Sequence, residues 1–159
     1  MEEPRLTGTL QIALVVRDLA ATMRTYVHEY GIGPWEIYEF NPRTVRNMQQ
    51  DGQPVETAWR IALARVGHVH WELIQPLDDV STFARFLAGQ GEGVHHVAVG
   101  VPSFEGALAA LAEQGRTPVA SGEYNGVNFA YLPTGGELGV ITEIFDRAPE
   151  GQKPDAVYP

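Results

Sequence analysis

Gln11-Ile12-Ala13-Leu14-Val15-Val16 and His96-Val97-Ala98-Val99-Gly100-Val101 are two versions of one strand, written 85 residues apart. In both, every second residue is bulky: Ile12, Leu14 and Val16 in the first, Val97, Val99 and Val101 in the second. Side chains alternate across a strand, so these residues form one apolar face suited to packing under helices. The opposite face is small, with one polar residue at its start: Gln11 ahead of Ala13, His96 ahead of Ala98. Such a face suits the wall of a cavity. The helix caps repeat at the same offset. Asp18 and Ser103 precede apolar helical runs, Leu19–Tyr30 and Phe104–Gln114, that stop at Gly31 and Gly115. The chain is an internal duplication.

Working outward, alternation marks strands at Gly8–Val16 and Gly33–Phe40, then a hairpin of Val55–Val66 and His68–Gln75 around Gly67. The second half gives Val94–Val101, Thr117–Tyr124, Gly126–Leu132 and Glu137–Asp146. Each half spells βαβββ. Asn41 to Pro54 reads as a polar loop with Asp51-Gly52 as turn chemistry. Ser81–Ala88 reads as a short helix with Phe83, Phe86 and Leu87 as its stripe, and Gly89–Gly93 as a flexible connector. The expected organisation is a first module over residues 1–78, a helical linker over 79–93, a second module over 94–146 and a tail over 147–159. The expected fold class is α+β. Two tandem βαβββ modules would form a curved, half-open eight-stranded mixed sheet, each half closing a core the other cannot close alone.

Composition limits the function. The chain has 159 residues, 44% of them hydrophobic and 19% charged, which suits one compact domain or two small modules sharing a core. Eleven Lys+Arg against 20 Asp+Glu give a net charge of −9, which argues against binding nucleic acid or an anionic membrane. No apolar stretch approaches the ~20 residues of a membrane span. The N-terminal MEEPRLTG lacks the basic and apolar regions of a signal peptide, so a soluble, cytoplasmic protein is expected. Cysteine is absent, which excludes disulfides, thiolate metal sites and Cys nucleophiles. Any metal site must use His, carboxylate and amide.

Those donors stand at matching places. The last strand of the first half puts Val69, Trp71 and Leu73 on one face and His68, His70 and Glu72 on the other; that of the second half carries Glu143 beside Ile141 and Phe145. A single Glu within a strand is usually half-solvated, and a single His usually structural. The duplication changes those odds. Gln11 and Glu72 lie in the first and last strands of one half, His96 and Glu143 in the same strands of the other. About a pseudo-twofold all four converge on the axis, making the cavity a metal-binding one. A buried Glu72–Glu143 pair without a cation would be strongly repulsive; a divalent ion resolves it.

The chain resembles the vicinal oxygen chelate superfamily, which includes glyoxalase I and methylmalonyl-CoA epimerase, over about Gly8 to Asp146. The likeness to the epimerase-like branch rests on Gly31-Ile32-Gly33-Pro34-Trp35, Glu72-Leu73-Ile74-Gln75-Pro76, the Ser81–Gly93 linker, Gly93-Val94-His95-His96-Val97-Ala98 and Gly139–Ile144. Carried over by position, the family's metal ligands fall on Gln11, Glu72, His96 and Glu143, with His96 rather than His95 as the ligand of the pair. The epimerases tend to have His where this chain has Gln11; the set Gln/Glu/His/Glu is similar to that of some glyoxalase I enzymes.

One imidazole and three oxygen donors suit Co, Ni, Mn, Fe or Zn as the divalent ion. The resemblance implies a small-molecule carbonyl substrate, a homodimer, and a carboxylate base, for which Glu143 is the first candidate. Epimerisation needs a second acid/base, and Glu56 is near the family's second carboxylate position; its alternative reading is a solvated strand-end charge. His70 shares the face of Glu72 and could be a substitute ligand, a general acid or a partner orienting Glu72. His68 is read as solvated. Trp35, Tyr38, Trp59, Phe129 and Tyr131 either line the pocket or pack in the core, and Arg60 and Asn128 are candidate oxygen-binding groups. The leading expectation is a metal-dependent epimerase or isomerase acting on a carbonyl compound, such as an acyl-CoA. A glyoxalase-like lyase and a metal-free binding protein of the same fold are the alternatives.

Overall fold

The computed structural model describes residues 5–149 and 151–159. The first half contributes β1 (Gly8–Val15), α1 (Leu19–Tyr30), β2 (Trp35–Phe40), β3 (Val45–Gln50), β4 (Gln53–Pro54), β5 (Trp59–Val66) and β6 (Val69–Pro76). Helix α2 (Thr82–Gln90) leads to β7 (Gly93–Gly100), α3 (Phe104–Glu113), β8 (Ala120–Tyr124), β9 (Val127–Leu132), α4 (Gly135–Leu138) and β10 (Ile141–Phe145). Strand β11 (Ala156–Tyr158) follows. No helix among the described residues is long and apolar enough to cross a membrane.

All the strands lie in one mixed sheet, ordered β11-β2-β5-β6-β1-β7-β10-β9-β8-β3-β4. Its centre is two copies of a four-strand unit, β1-β6-β5-β2 and β7-β10-β9-β8. In each, the first strand pairs in parallel with the last and the other pairs are antiparallel. The copies meet at the antiparallel pair β1/β7, where Gln11 stands opposite Ala98 and Ala13 opposite His96. That diagonal follows directly from a twofold relating residues at an offset of 85. The α+β fold with its half-open curved sheet is therefore as the duplication implies.

The sheet has eleven strands rather than eight because each outer edge is capped by chain from the other half. The segment 41–54 is not a loop. Val45–Gln50 pairs with β8, and Gln53–Pro54 returns along it. The 147–159 segment is not wholly a tail, since Ala156–Tyr158 pairs with β2. There Asp155 N donates to Ile37 O at 2.8 Å and Glu39 N to the Asp155 carboxylate at 2.8 Å. The start of the expected 137–146 strand is helix α4, and β10 begins at Ile141. The expected connector shrinks to Gly91-Glu92, with Glu92 Oε1 accepting Arg17 N at 2.8 Å.

The bulky strand faces pack as the alternation requires. Leu14, Val16, Leu73 and Trp71 meet Leu19, Met23 and Tyr26 of α1. Val97, Val99 and Val101 meet Phe104 and Leu108 of α3. Asp18 Oδ1 caps α1 by accepting Ala21 N at 2.9 Å, and Ser103 Oγ caps α3 by accepting Gly106 N at 2.9 Å. Gly31, at φ 65°, ends α1 in the left-handed conformation a glycine adopts without strain. On the inner face, Phe83, Phe86 and Leu87 of α2 pack against Ala13, Val15 and Tyr131.

The alternation is broken at two places in β1/β7. Pairing passes from Thr9↔Val99 to Gln11↔Ala98, so Leu10 is extra; it passes from Ala13↔His96 to Leu14↔Val94, so His95 is extra. A bulge re-aims its side chain. The two bulged residues are themselves equivalents in the repeat.

Candidate active site and metal centre

Glu72, His96 and Glu143 come together, each offering a donor atom within 4.8 Å of the others, and all three are buried. The register explains why. Glu72 on β6 pairs with Ala13 and Glu143 on β10 pairs with Ala98, the two small residues on the inner face of the central strands. Short side chains there leave room for the carboxylates to lean over β1 and β7. His96 Nε2 is 3.1 Å from Glu143 Oε2 and 3.5 Å from Glu72 Oε2.

These atoms are close but not hydrogen-bonded to one another in line. His96 Nε2 and Glu72 Oε2 are buried with no hydrogen-bond partner. Orphaned buried donors and acceptors are costly, and two carboxylates buried side by side repel. A divalent cation fits this set, because it accepts an imidazole lone pair and carboxylate oxygens together. Burial drives the His96 imidazole toward its neutral form, but Glu143 and Glu72 outweigh it and lift its pKa to about 9. Burial raises the Glu143 carboxyl, opposed by His96 and reinforced by Glu72. Tyr131 is raised well above the ordinary phenol range, by burial first and then by Glu143 and Glu72, so it stays protonated.

The carboxylates open onto an inner chamber of about 80 Å³. Gln11, Glu72 and Glu143 form its polar wall; Tyr38, Phe40, Trp59, Phe129 and Tyr131 are among its aromatic lining. The sheet edges approach each other around it, with the rings of Phe40 in β2 and Tyr124 in β8 stacked at 4.2 Å. Gly122 packs closely behind that lining, since a Cβ there would lie 2.9 Å from Phe129 Cζ. A second, outer chamber of about 340 Å³ is lined by Gln11, Tyr38 and Leu63 as well, so the two adjoin. The outer one adds Leu10, Arg65, His68 and His70, and Pro149 and Gln152 line both.

Of the four expected ligands, three cluster and the fourth, Gln11, shares the inner chamber with Glu72 and Glu143. His70 pairs with Gln11 across β1/β6 yet stands apart from the cluster, in the outer chamber with His68. Glu56 is exposed between β4 and β5 and lines neither chamber, so the solvated reading applies. Trp35 packs under α1, whereas Tyr38, Trp59, Phe129 and Tyr131 line the inner chamber. Arg60 pairs with Glu39 and Asn128 Nδ2 donates to Asp146 at 2.8 Å, and neither lines either chamber. Two features escape a strand-by-strand reading: the lining of both chambers by Pro149 and Gln152, and the contact of His95 with His96. A break in the two-residue period at His95-His96 was the one available signal.

A family model described as Glyoxalase/Bleomycin resistance protein/Dioxygenase superfamily matches residues 10–131. No curated protein matches the chain. Among solved structures, methylmalonyl-CoA epimerase from Mycobacterium tuberculosis is similar, with 22% identity, a TM-score of 0.68 and 94% of each chain covered. A methylmalonyl-CoA epimerase in complex with methylmalonyl-CoA and NH4+ has 23% identity and a TM-score of 0.66, over 94% of this chain and 99% of that one. A hypothetical protein from Bacillus halodurans has 22% identity and a TM-score of 0.65, over 92% and 98%.

Proposed function

Because the chain belongs to the glyoxalase/bleomycin resistance protein/dioxygenase superfamily, we propose that it is a divalent-metal-dependent epimerase or isomerase that moves a proton beside a chelated carbonyl. The observation that carries this reading is the buried Glu72–His96–Glu143 cluster facing an aromatic chamber through its carboxylates. Gln11, Glu72, His96 and Glu143 would hold the ion. When bound, a divalent ion there polarises a substrate carbonyl as a Lewis acid.

Glu143 takes the proton from the adjacent carbon. Its carboxylate lines the chamber where that carbon would lie. Tyr131, protonated beside it, donates rather than accepts. The aromatic wall keeps water from the reacting carbon. Gln11, on the wall between the chambers, orients the substrate's polar group. An acyl-CoA, the ligand type of the complexed epimerase above, suits the division of space. Its acyl group would enter the inner chamber, and Arg65, His68 and His70 in the outer chamber would face its anionic tail.

One observation favours a second reading, isomerisation or glyoxalase-like lyase chemistry on one face. Apart from Glu72 and Glu143, the described lining of the inner chamber holds no carboxylate, imidazole or amine. Two-base epimerisation calls for an acid opposite Glu143.

Exchange in deuterated solvent tests both. Metal-loaded protein should wash deuterium into methylmalonyl-CoA or a 2-keto compound, and Glu143→Gln should slow this about 10²–10⁴-fold. Exchange without inversion selects the one-face reading. Unchanged exchange in Glu143→Gln removes it as the base, and no exchange by the wild type in any carbonyl substrate overturns the reading.

A further inference from the structure

His95 has no part in the chemistry above. Strict alternation would put it on the opposite face of β7 from His96, but the bulge turns both rings to the inner side. There His95 is 3% exposed. Its Nδ1 lies 2.9 Å from His96 Nδ1, and its Nε2 lies 3.3 Å from Thr82 Oγ1 in the first turn of α2. Phe83, Phe86 and Tyr131 enclose the ring at centroid distances of 5.0, 5.2 and 6.1 Å.

Two ring nitrogens at 2.9 Å must share one proton. If His95 carried it, a neutral His96 would hold its own proton on Nε2, where no aligned acceptor exists. If His96 Nδ1 carries it, the Nε2 lone pair is free to face the carboxylates. His95 then accepts at Nδ1, and its own proton on Nε2 donates to Thr82 Oγ1. The second arrangement satisfies every atom from Thr82 Oγ1 to His96 Nδ1 and leaves only His96 Nε2 open, the atom that would face a cation. It also holds when His96 is doubly protonated, since Nδ1 is then a donor in any case. Phe83, Phe86 and Tyr131 around the ring leave Thr82 Oγ1 and His96 Nδ1 as its hydrogen-bond partners.

We propose that His95, anchored by Thr82 of the linker helix, is a positioning residue that accepts the Nδ1–H of His96 and fixes Nε2 toward Glu72 and Glu143. Its purpose rests on His96 serving as a cation ligand; the placement of the proton does not. The linker between the halves thus reaches the second half's donor through a single imidazole.

Nitrogen-15 NMR of the imidazoles, without metal and with Zn²⁺, reads the proton positions directly. The expected result is a bare Nδ1 and a protonated Nε2 on His95, with a protonated Nδ1 on His96, in both states. A proton on His95 Nδ1 overturns the proposal. Calorimetry with Zn²⁺ reads the consequence: His95→Phe should weaken binding about 10–100-fold, and Thr82→Val by a smaller factor. Unchanged affinity in both variants overturns it as well. Should His95→Phe not fold, Thr82→Val and the wild-type spectrum still decide. Should the wild type bind no Zn²⁺, the metal reading fails, and the spectrum alone decides whether His95 orients His96.

Discussion

Leu10 and His95 occupy the same bulge in the two halves, and the molecule covers them in opposite ways. After β6 the chain folds into α2, whose Phe83 and Phe86 close over His95. After β10 the described residues of the corresponding stretch form no helix, and the chain pairs through β11 with the edge of the sheet. Leu10, 37% exposed, is left lining the outer chamber with Pro149 and Gln152. One bulge is sealed and the other opens on a space of about 340 Å³. The donors follow the same division. His96 is wholly buried behind its helix, while Gln11 lines both chambers. The duplicated sheet brings Glu72, His96 and Glu143 together with Gln11 in the adjoining chamber wall; the unlike covers leave one side closed and the other open.

Phe83 tests the sealed side most severely. It is 1% exposed, and Phe83→Ala should cost about 3–5 kcal/mol of stability, read from the urea midpoint. A loss below about 1 kcal/mol would mean that α2 rests on the sheet without being packed into it.

Asp78 ties that helix down. Its carboxylate accepts the Thr57 hydroxyl, Ala58 N at 2.6 Å, Val80 N at 3.0 Å and Ser81 N at 2.8 Å. Burial pushes its pKa up, but these hydrogen bonds prevail and hold it below the usual value. A depressed carboxylate stabilises the fold above its unfolded pKa of about 3.9 and loses that contribution as the pH falls through the folded value. Asp78→Asn should therefore cost about 1–3 kcal/mol at pH 7 and show less acid destabilisation than the wild type. Equal stability loss at pH 7 and pH 3 would contradict this.

On the open side, effects should fall on substrate and local order rather than on metal. His70→Ala should leave Zn²⁺ affinity unchanged and raise KM for an anionic substrate with kcat preserved; a tenfold drop in affinity, about 1.4 kcal/mol, would make His70 a ligand. Smallest of all, Asp155→Ala removes the acceptor for Glu39 N, worth about 0.5–1.5 kcal/mol locally. Hydrogen exchange should quicken at Glu39 and stay unchanged in β6. Quickening throughout the sheet would mean that β11 supports the whole fold.

The central eight strands, the helix-bearing faces and the caps at Asp18 and Ser103 were legible because local alternation and the repeat agree on them. Strand β3 was not. Val45-Arg46-Asn47-Met48-Gln49-Gln50 lacks an apolar face, and Asn47 lies in the left-handed region at φ 52°. Its pairing with β8 comes from the far half of the chain. Three residues of β11 are likewise too few for a pattern. Glu72, His96 and Glu143 were legible as donors from their matching places. Glu56, placed by its likeness in position to the family's second carboxylate, is exposed and lines neither chamber, because sequence position does not say which side of the curved sheet a residue between strands reaches. His95 was hidden by the assumption of unbroken alternation.

The most direct test of the account is the metal content and affinity of the purified chain. It predicts about one divalent ion per chain, with affinity falling sharply in Glu72→Gln. Purified protein without stoichiometric metal, showing no binding of added Zn²⁺, Ni²⁺ or Co²⁺ by calorimetry, would contradict it.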